Sequence, residues 1–315
     1  MIKKVGFCRP EYSPGGRRPD IVLIMSLKLL DGRVVRDALK KKLVERIDKL
    51  KKRGIAPALA IIQVGDRADT AAYIEAKKRF GADIGIEVRH VHLDDRVSTE
   101  EVISNIKRLN ADRAIQGIIA QLPLPEGIKN DRNEIVNAID PAKDADALTS
   151  KNELWPATAR GVGELLDFYG IALKDKKVCV IGRSALVGIP VAALCRARGA
   201  AVTVCHSKTV DLKKETLAAD IVISAVGRPK LITAEYVKPD QVIVDIGINE
   251  VKGNADTYGY KLNEELPKRN LVGDVDFEAV SRAIGPSGAI TPVPGGVGPM
   301  TVLALFENLA DLCQN

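Results

Sequence analysis

The sequence predicts an α/β protein of two domains with a cleft between them, each domain built on a parallel sheet. Three observations carry this expectation. Short continuous apolar runs alternate with amphipathic helical patterns, as strands buried on both faces require. The alternation runs through twice, on either side of an apolar-poor stretch at residues 144–160. The chain has 315 residues, 46% of them hydrophobic, enough for two cores of ordinary size.

Residues 1–24 stand apart from this pattern. Lys3, Lys4, Arg9, Arg17 and Arg18 lie among Pro10, Pro14, Gly15, Gly16 and Pro19 without periodicity. A secretory leader needs a longer apolar run and a small-residue cleavage site. The segment reads as a disordered extension before Met25.

The first domain is expected over residues 25–147. Val34, Val35, Ala38, Leu39, Leu43, Ile47 and Leu50 make one broad face of a helix over 33–53, with Gly54 as its stop. Ala58–Val64 is an apolar run of strand length, and a helix follows from about Asp69 to Ile84. Ile86–Leu93 reads as a strand. Ser98 and Glu101 form a capping box that opens a helix to about Leu109. Ala114–Gln121 is a second buried strand, and a short helix lies near Asn133–Ala138.

The second domain is expected over 148–299. Val162–Tyr169 reads as a helix, Val178–Gly182 as a buried strand, Ile189–Arg198 as a helix and Ala201–Cys205 as a strand. Asp220–Ala225 and Val242–Ile246 are two more strands. A final helix, carrying Val302, Leu303, Leu305, Phe306 and Leu309, is expected to pack residues 300–315 back on the first domain.

Composition excludes several classes. The net charge is +6, but the basic residues are spread among acids, and aromatics are only 4% of the chain. Neither a concentrated basic face nor a base-stacking platform is present, so a nucleic-acid partner is not expected. No run is long enough to span a bilayer. Five cysteines, none in a Cys-x-x-Cys, point to reduced thiols and a cytoplasmic protein. His90 and His92 share a strand face, but no further ligand completes a metal set, and none is expected.

Three places suggest chemistry. The strand at Val178 runs into Gly182-Arg-Ser-Ala-Leu-Val-Gly188 and then a helix. Such a turn points free N–H groups and a positive helix end at an anion, the Rossmann-type dinucleotide geometry, although Ser184 stands where the second glycine is usual. The next strand ends Cys205-His206-Ser207-Lys208-Thr209 with no carboxylate to hold a ribose. Hydroxyls and cations there, with Arg183, favour NADP over NAD. In the first domain Tyr73 and Lys77 share a helix face, Gln121 ends an apolar strand, and Asp144 and Asp146 border the cleft. Finally Thr291–Thr301 holds three prolines and three glycines in a rigid loop that ends at a helix start.

Together these segments resemble a known family, the bifunctional methylenetetrahydrofolate dehydrogenase/methenyltetrahydrofolate cyclohydrolases of the FolD type. The resemblance rests on Tyr73-x-x-x-Lys77, Gln121–Pro125, Lys143–Asp146, Gly182–Pro190, His206–Thr209, Asp245–Asn249, Gly273–Phe277 and Thr291–Thr301, in order over residues 25–315. It implies oxidation of 5,10-methylenetetrahydrofolate by NADP, hydrolysis of the methenyl product to 10-formyltetrahydrofolate, and a homodimer. It also implies roles. Lys77 does acid/base work, Gln121 tunes it, Tyr73 stacks on the folate and Asp146 anchors the pterin. Pro292, Gly295 and Gly296 line the folate cleft. Gly182, Arg183, Ser184, Gly188, Ser207, Thr209 and Ile248 hold the cofactor.

The chain departs from the family pattern in one region. Ala145 and Ala147 replace a Val and a Gly, Pro156–Gly161 reads Pro-Ala-Thr-Ala-Arg-Gly, and the segment between is about ten residues shorter than usual. Arg79 replaces a lysine. These changes are expected to touch the folate side and not the cofactor side. Two competing readings remain at this point: another two-domain NADP dehydrogenase, and a cofactor-binding homologue impaired in catalysis.

Overall fold

The computed structural model describes residues 27–251 and 271–314, so the expectation for residues 1–24 lies outside the described residues. The first described strand, β1 (Lys28–Leu29), does not join the N-terminal sheet. It pairs in parallel with β11 (Ala289–Ile290) at the edge of the C-terminal one. Helix α1 (Gly32–Lys52) follows, its N-terminus capped by Asp31, which accepts from the Arg33 amide at 2.9 Å. Val35, Leu43, Ile47 and Leu50 face the core, whereas Val34 is 54% exposed. One residue is a rotation of about 100° on a helix, so Val34 falls off the buried face.

The N-terminal sheet has the order β3-β2-β4, with both pairings parallel. Its central strand β2 (Ala58–Val64) is buried at every position. Helix α2 (Ala68–Asp83) leads to the edge strand β3 (Glu87–Leu93). Helix α3 (Thr99–Ala111) starts at Ser98, whose hydroxyl accepts from the Glu101 amide at 3.3 Å. Strand β4 (Gly117–Ala120) and helix α4 (Arg132–Asn137) complete the half. Residues 143–145 then run beside β4: the Ile118 amide donates to the Lys143 carbonyl at 2.6 Å, and the Ala145 amide to the Ile118 carbonyl at 3.3 Å.

Helix α5 (Ala157–Phe168) begins at Ala157, earlier than the Val162 that apolar periodicity marks. The first turn contains small residues, and their burial is tertiary: a Cβ on Gly161 would lie 2.9 Å from the Met300 backbone. The C-terminal half is a six-stranded sheet in the order β1-β11-β8-β7-β5-β6, all parallel. It comprises β5 (Lys177–Ile181), α6 (Gly188–Ala197), β6 (Ala201–Cys205), α7 (Leu212–Ala218), β7 (Ile221–Ser224) and β8 (Val242–Asp245). A small antiparallel pair, β9 (Asn249–Glu250) with β10 (Leu271–Val272), precedes α8 (Phe277–Ile284) and β11. From β5 the chain goes to β6 on one side, and β7 lies on the other, so the carboxyl end of β5 is a topological switch point.

The last helix, α9 (Val297–Leu312), leaves this sheet and packs on α1, α2 and α5. Phe306 meets Phe80 of α2 at a ring separation of 5.5 Å. Buried Asn308 donates to the carbonyls of Ala145 at 2.9 Å and Trp155 at 3.1 Å, and accepts from Arg160 at 2.9 Å. Arg160 also meets Glu164 and Asp311. Where α9 starts, backbones touch: a Cβ on Gly32 would lie 1.8 Å from the Gly296 carbonyl oxygen. Gly32→Ala should therefore cost about 2–3 kcal/mol through overpacking against rigid backbone, measured as a fall in the denaturant midpoint.

Candidate active site

The lysine on α2 is the most unusual side chain of the N-terminal half. Lys77 is only 7% exposed, and its Nζ donates to Gln121 Oε1 at 2.9 Å. Gln121 directly follows β4, and its own amide donates to the Ile62 carbonyl at 2.8 Å, so strand pairing places it. Its Nε2 donates to the Leu122 carbonyl at 2.9 Å. That bond turns the side-chain carbonyl, the only acceptor of the amide, toward the lysine. Burial pushes the Lys77 amine below its ordinary range, and the Asp146 carboxylate works against that shift. Burial pushes Asp146 up, opposed by Lys77 and reinforced by Asp144. Tyr73, one turn before Lys77, is 37% exposed at the rim.

The segment that delivers Asp146 is held from several sides. Lys143 Nζ donates to the carbonyls of Asp112 at 2.7 Å and Leu109 at 3.2 Å. Asp144 is buried and accepts from the Thr149 amide at 2.7 Å, which makes it a turn-former rather than a cleft group. The Asp146 carbonyl accepts from the Ala157 amide at 3.2 Å. Between them Ala147 has φ +55°, a left-handed backbone that glycine adopts freely and alanine at a cost of about 1–2 kcal/mol. The Ala-for-Gly departure thus falls where backbone freedom is needed.

On the other half, Gly182 has φ +116°, and a Cβ there would lie 2.3 Å from the Ala225 carbonyl oxygen. A Cβ on Gly188 would lie 2.2 Å from the Gly182 oxygen. Both glycines are needed for the tight turn between β5 and α6. Ser184 shapes the loop from inside: its hydroxyl accepts from the Val187 and Gly188 amides, each at 3.2 Å. Arg183 and Ser207 are exposed, and Ile248 is 40% exposed. Thr209 is turned inward, its hydroxyl accepting from the His206 amide at 2.9 Å. These positions fit a dinucleotide: a turn too close for side chains, a helix N-terminus and an exposed guanidinium.

One sequence expectation needs correction. Ala147, Leu148 and Pro156 of the shortened segment share a hollow with Ala185 and Leu186 of the glycine loop and with α4. The altered segment therefore borders the cofactor side as well as the folate side.

The loop Thr291–Thr301 is tied to both halves. Thr291 Oγ1 accepts from the Asp245 amide at 2.7 Å, and the Gly32 amide donates to the Gly295 carbonyl at 2.9 Å. The Gly296 amide donates to the Pro292 carbonyl at 2.9 Å. Sequence reasoning assigned no role to Asp245 and Asp274, two nearly fully buried carboxylates beside this loop. The available signal was an acid closing an apolar strand, Val242-Ile-Val-Asp245. Burial pushes Asp245 up to about 7, against the pull of the Val275 amide. Among the described residues no group of three or more His, Cys, Asp or Glu side chains gathers as for a metal ion.

Fold and site together define a class: α/β enzymes with a dinucleotide-binding half and a second half that buries a lysine amine. The particular family follows from comparison. Residues 30–146 match the catalytic domain of the tetrahydrofolate dehydrogenase/cyclohydrolase family, and residues 156–315 match its NAD(P)-binding domain. The chain belongs to this family. It is 42% identical over 296 residues to the bifunctional protein FolD of Lactobacillus acidophilus, covering 91% of this chain and 97% of that one. It is 39% identical over 293 residues to that of Acetivibrio thermocellus, covering 90% and 96%. The crystal structure of the bifunctional FolD enzyme of Campylobacter jejuni superposes with a TM-score of 0.81 at 36% identity, covering 92% of this chain and 99% of that one. The Trypanosoma brucei enzyme, complexed with NADP and an inhibitor, gives 0.81 at 35% identity, covering 91% and 97%.

Two tests arise from this geometry. Ala147→Gly should stabilise the protein by roughly 0.5–1 kcal/mol, the left-handed penalty less the entropy of glycine, read from chemical denaturation. Asp146→Asn removes the charge that supports the protonated amine, so Lys77 should lose its proton at lower pH. The rising limb of methenyl hydrolysis should then move to lower pH, and an unmoved limb would show that Asp146 carries no charge there.

Proposed function

We propose that this chain oxidises 5,10-methylenetetrahydrofolate with NADP and hydrolyses the methenyl product to 10-formyltetrahydrofolate in one cleft, as a cytoplasmic homodimer. The observation that carries the reading is the buried Lys77 amine, bonded to Gln121 and opposite Asp146. Family membership supplies the two reactions.

NADP held in the cleft would supply the two-electron oxidant for the one-carbon bridge, leaving the folate oxidised and the cofactor reduced. The chain contributes alignment to that step, because hydride transfer needs two carbons held at contact. Gly182, Arg183, Ser184, Gly188, Ser207, Thr209 and Ile248 would hold the cofactor. Pro292, Gly295 and Gly296 would line the folate side, with Tyr73 stacked on the substrate and Asp146 accepting from the pterin.

The cationic methenyl product disfavours a second positive charge beside it, and burial already disfavours the lysine cation. A neutral Lys77 can take the proton of the water that adds to the methenyl carbon. It can return that proton to the ring nitrogen as the carbon–nitrogen bond breaks, while the carbinol hydroxyl gives its proton to solvent as the formyl C=O forms. Gln121 keeps the amine in place without fixing its charge.

Lys77→Met preserves the packing of the stem but removes the base. Methenyltetrahydrofolate hydrolysis should fall by about 100-fold or more, while NADP affinity stays within about twofold and part of the dehydrogenase rate survives. Hydrolysis at the parent rate would remove Lys77 from the mechanism. For the cofactor, Ser207→Asp should weaken NADP binding about tenfold by charge repulsion and leave NAD binding less affected; equal rates with both cofactors in the parent enzyme would overturn the NADP preference.

A further inference from the structure

Two buried carboxylates at the carboxyl ends of β7 and β8 take no part in the chemistry above. Asp274 is fully buried, and its oxygens face only donors. Oδ2 accepts from Ser224 Oγ at 3.1 Å and from the amides of Val226 at 2.8 Å and Gly227 at 3.3 Å. Oδ1 accepts from the Arg228 amide at 2.9 Å and from Asn249 Nδ2 at 3.1 Å. Asp245 Oδ1 accepts from the amides of Gly247 at 2.9 Å and Asp274 at 3.1 Å, and Oδ2 from the Val275 amide at 2.9 Å.

The packing around them admits no side chain. A Cβ on Gly247 would lie 2.1 Å from Asp274 Oδ1, and one on Gly273 would lie 1.9 Å from Asp245 Oδ2. Three loops, 224–228, 245–249 and 273–275, are therefore clamped on two carboxylates. The loop at 245–249 carries half-exposed Ile248 between two anchors, Gly247 on Asp245 and Asn249 on Asp274. Ligands of open parallel sheets bind at these strand ends. Charge-assisted bonds from backbone amides to a buried carboxylate are strong and directional.

We propose that Asp245 and Asp274 are positioning residues for hydride transfer: they hold the loop bearing Ile248 in the shape that receives the cofactor. This rests on the assignment of Ile248 to the cofactor in the proposed function. The carboxylates act through the loop and touch neither substrate nor cofactor. Their effect should fall on cofactor binding and hydride transfer, and only weakly on ring opening, which uses Lys77 in the other half.

Asp274→Asn keeps the shape but turns an NH2 group toward donors, so at least one bond to the loops is lost. Three readouts follow on the intact enzyme: NADP affinity by calorimetric titration, amide hydrogen exchange of residues 246–249 without ligand, and hydrolysis of methenyltetrahydrofolate without cofactor. Expected are NADP binding weaker by about fivefold or more, faster loop exchange, a dehydrogenase kcat down about tenfold, and hydrolysis reduced by less than about threefold. NADP affinity and kcat within twofold of the parent would overturn the proposal. So would a parallel loss of both activities, which would mark a merely structural role. If Asp274→Asn does not fold, Asn249→Ala cuts only the anchor of the loop, and the same criteria decide in a milder form. A parent that binds NADP but does not turn over methylenetetrahydrofolate would sink the functional reading alone, because affinity and exchange still test the clamp.

Discussion

The cleft depends on how one amine is buried. Removing a lysine from water disfavours its charged form, and Lys77 bears that cost beside a neutral acceptor. A carboxylate at position 121 would hold the amine as a cation. The Gln121 carbonyl instead accepts equally from an ammonium or an amine, so it fixes position and leaves charge to the surroundings. Its own amide is occupied by the Leu122 carbonyl, so it cannot flip without losing a bond. Strand pairing of β4 to β2 thus determines where the amine sits, and burial and Asp146 set its charge in opposite directions.

That amine and the cofactor sit on different halves, and the chain joins the halves by close backbone packing. Strand β1 begins in the C-terminal sheet and feeds α1 of the first half. Helix α9 leaves the C-terminal sheet and packs on α1, α2 and α5. Where they cross, Gly32 lies against Gly296 and Gly161 against Met300, contacts with no room for a methyl group. Buried Asn308 ties α9 to Ala145, the neighbour of Asp146. The Asp146 segment is thereby held by the helix that follows the Thr291–Thr301 loop.

Much of this was legible in sequence because it is local. Apolar runs of strand length marked β2, β4, β5 and β8, and the four-residue spacing of Tyr73 and Lys77 put them on one helix face. Gly182 and Gly188 announced a turn, and the structure supplies its reason in the clash each Cβ would cause. What stayed hidden is non-local. Two residues of β1 carry no periodicity, so their partner 261 positions away is invisible in composition. The start of α5 carries no large apolar residue, and Gly161 packs against the Met300 backbone, a contact that no periodicity reveals. Helix α8 is short, and its apolar residues Val280 and Ile284 gain meaning only against the sheet. Asp245 and Asp274 read as motif letters until their donors are placed around them.

The same separation explains how two reactions can share a cleft without sharing their machinery. The residues proposed for ring opening, Lys77, Gln121 and Asp146, belong to the N-terminal half and the segment that ends it. In the NAD(P)-binding half the buried carboxylates of Asp245 and Asp274 are surrounded by donors, and a fully satisfied buried network rigidifies the loops it joins into one platform. The two halves meet along the loop after Thr291, whose hydroxyl accepts from the amide of Asp245 while the Gly295 carbonyl accepts from the Gly32 amide. A change beside Lys77 can therefore alter hydrolysis with the platform intact. The shortened segment is the exception, because Ala147 lies between Asp146 and the hollow beside Ala185 and Leu186. Ala147, with φ +55°, thus places local backbone strain in a segment that adjoins both Asp146 and the glycine loop.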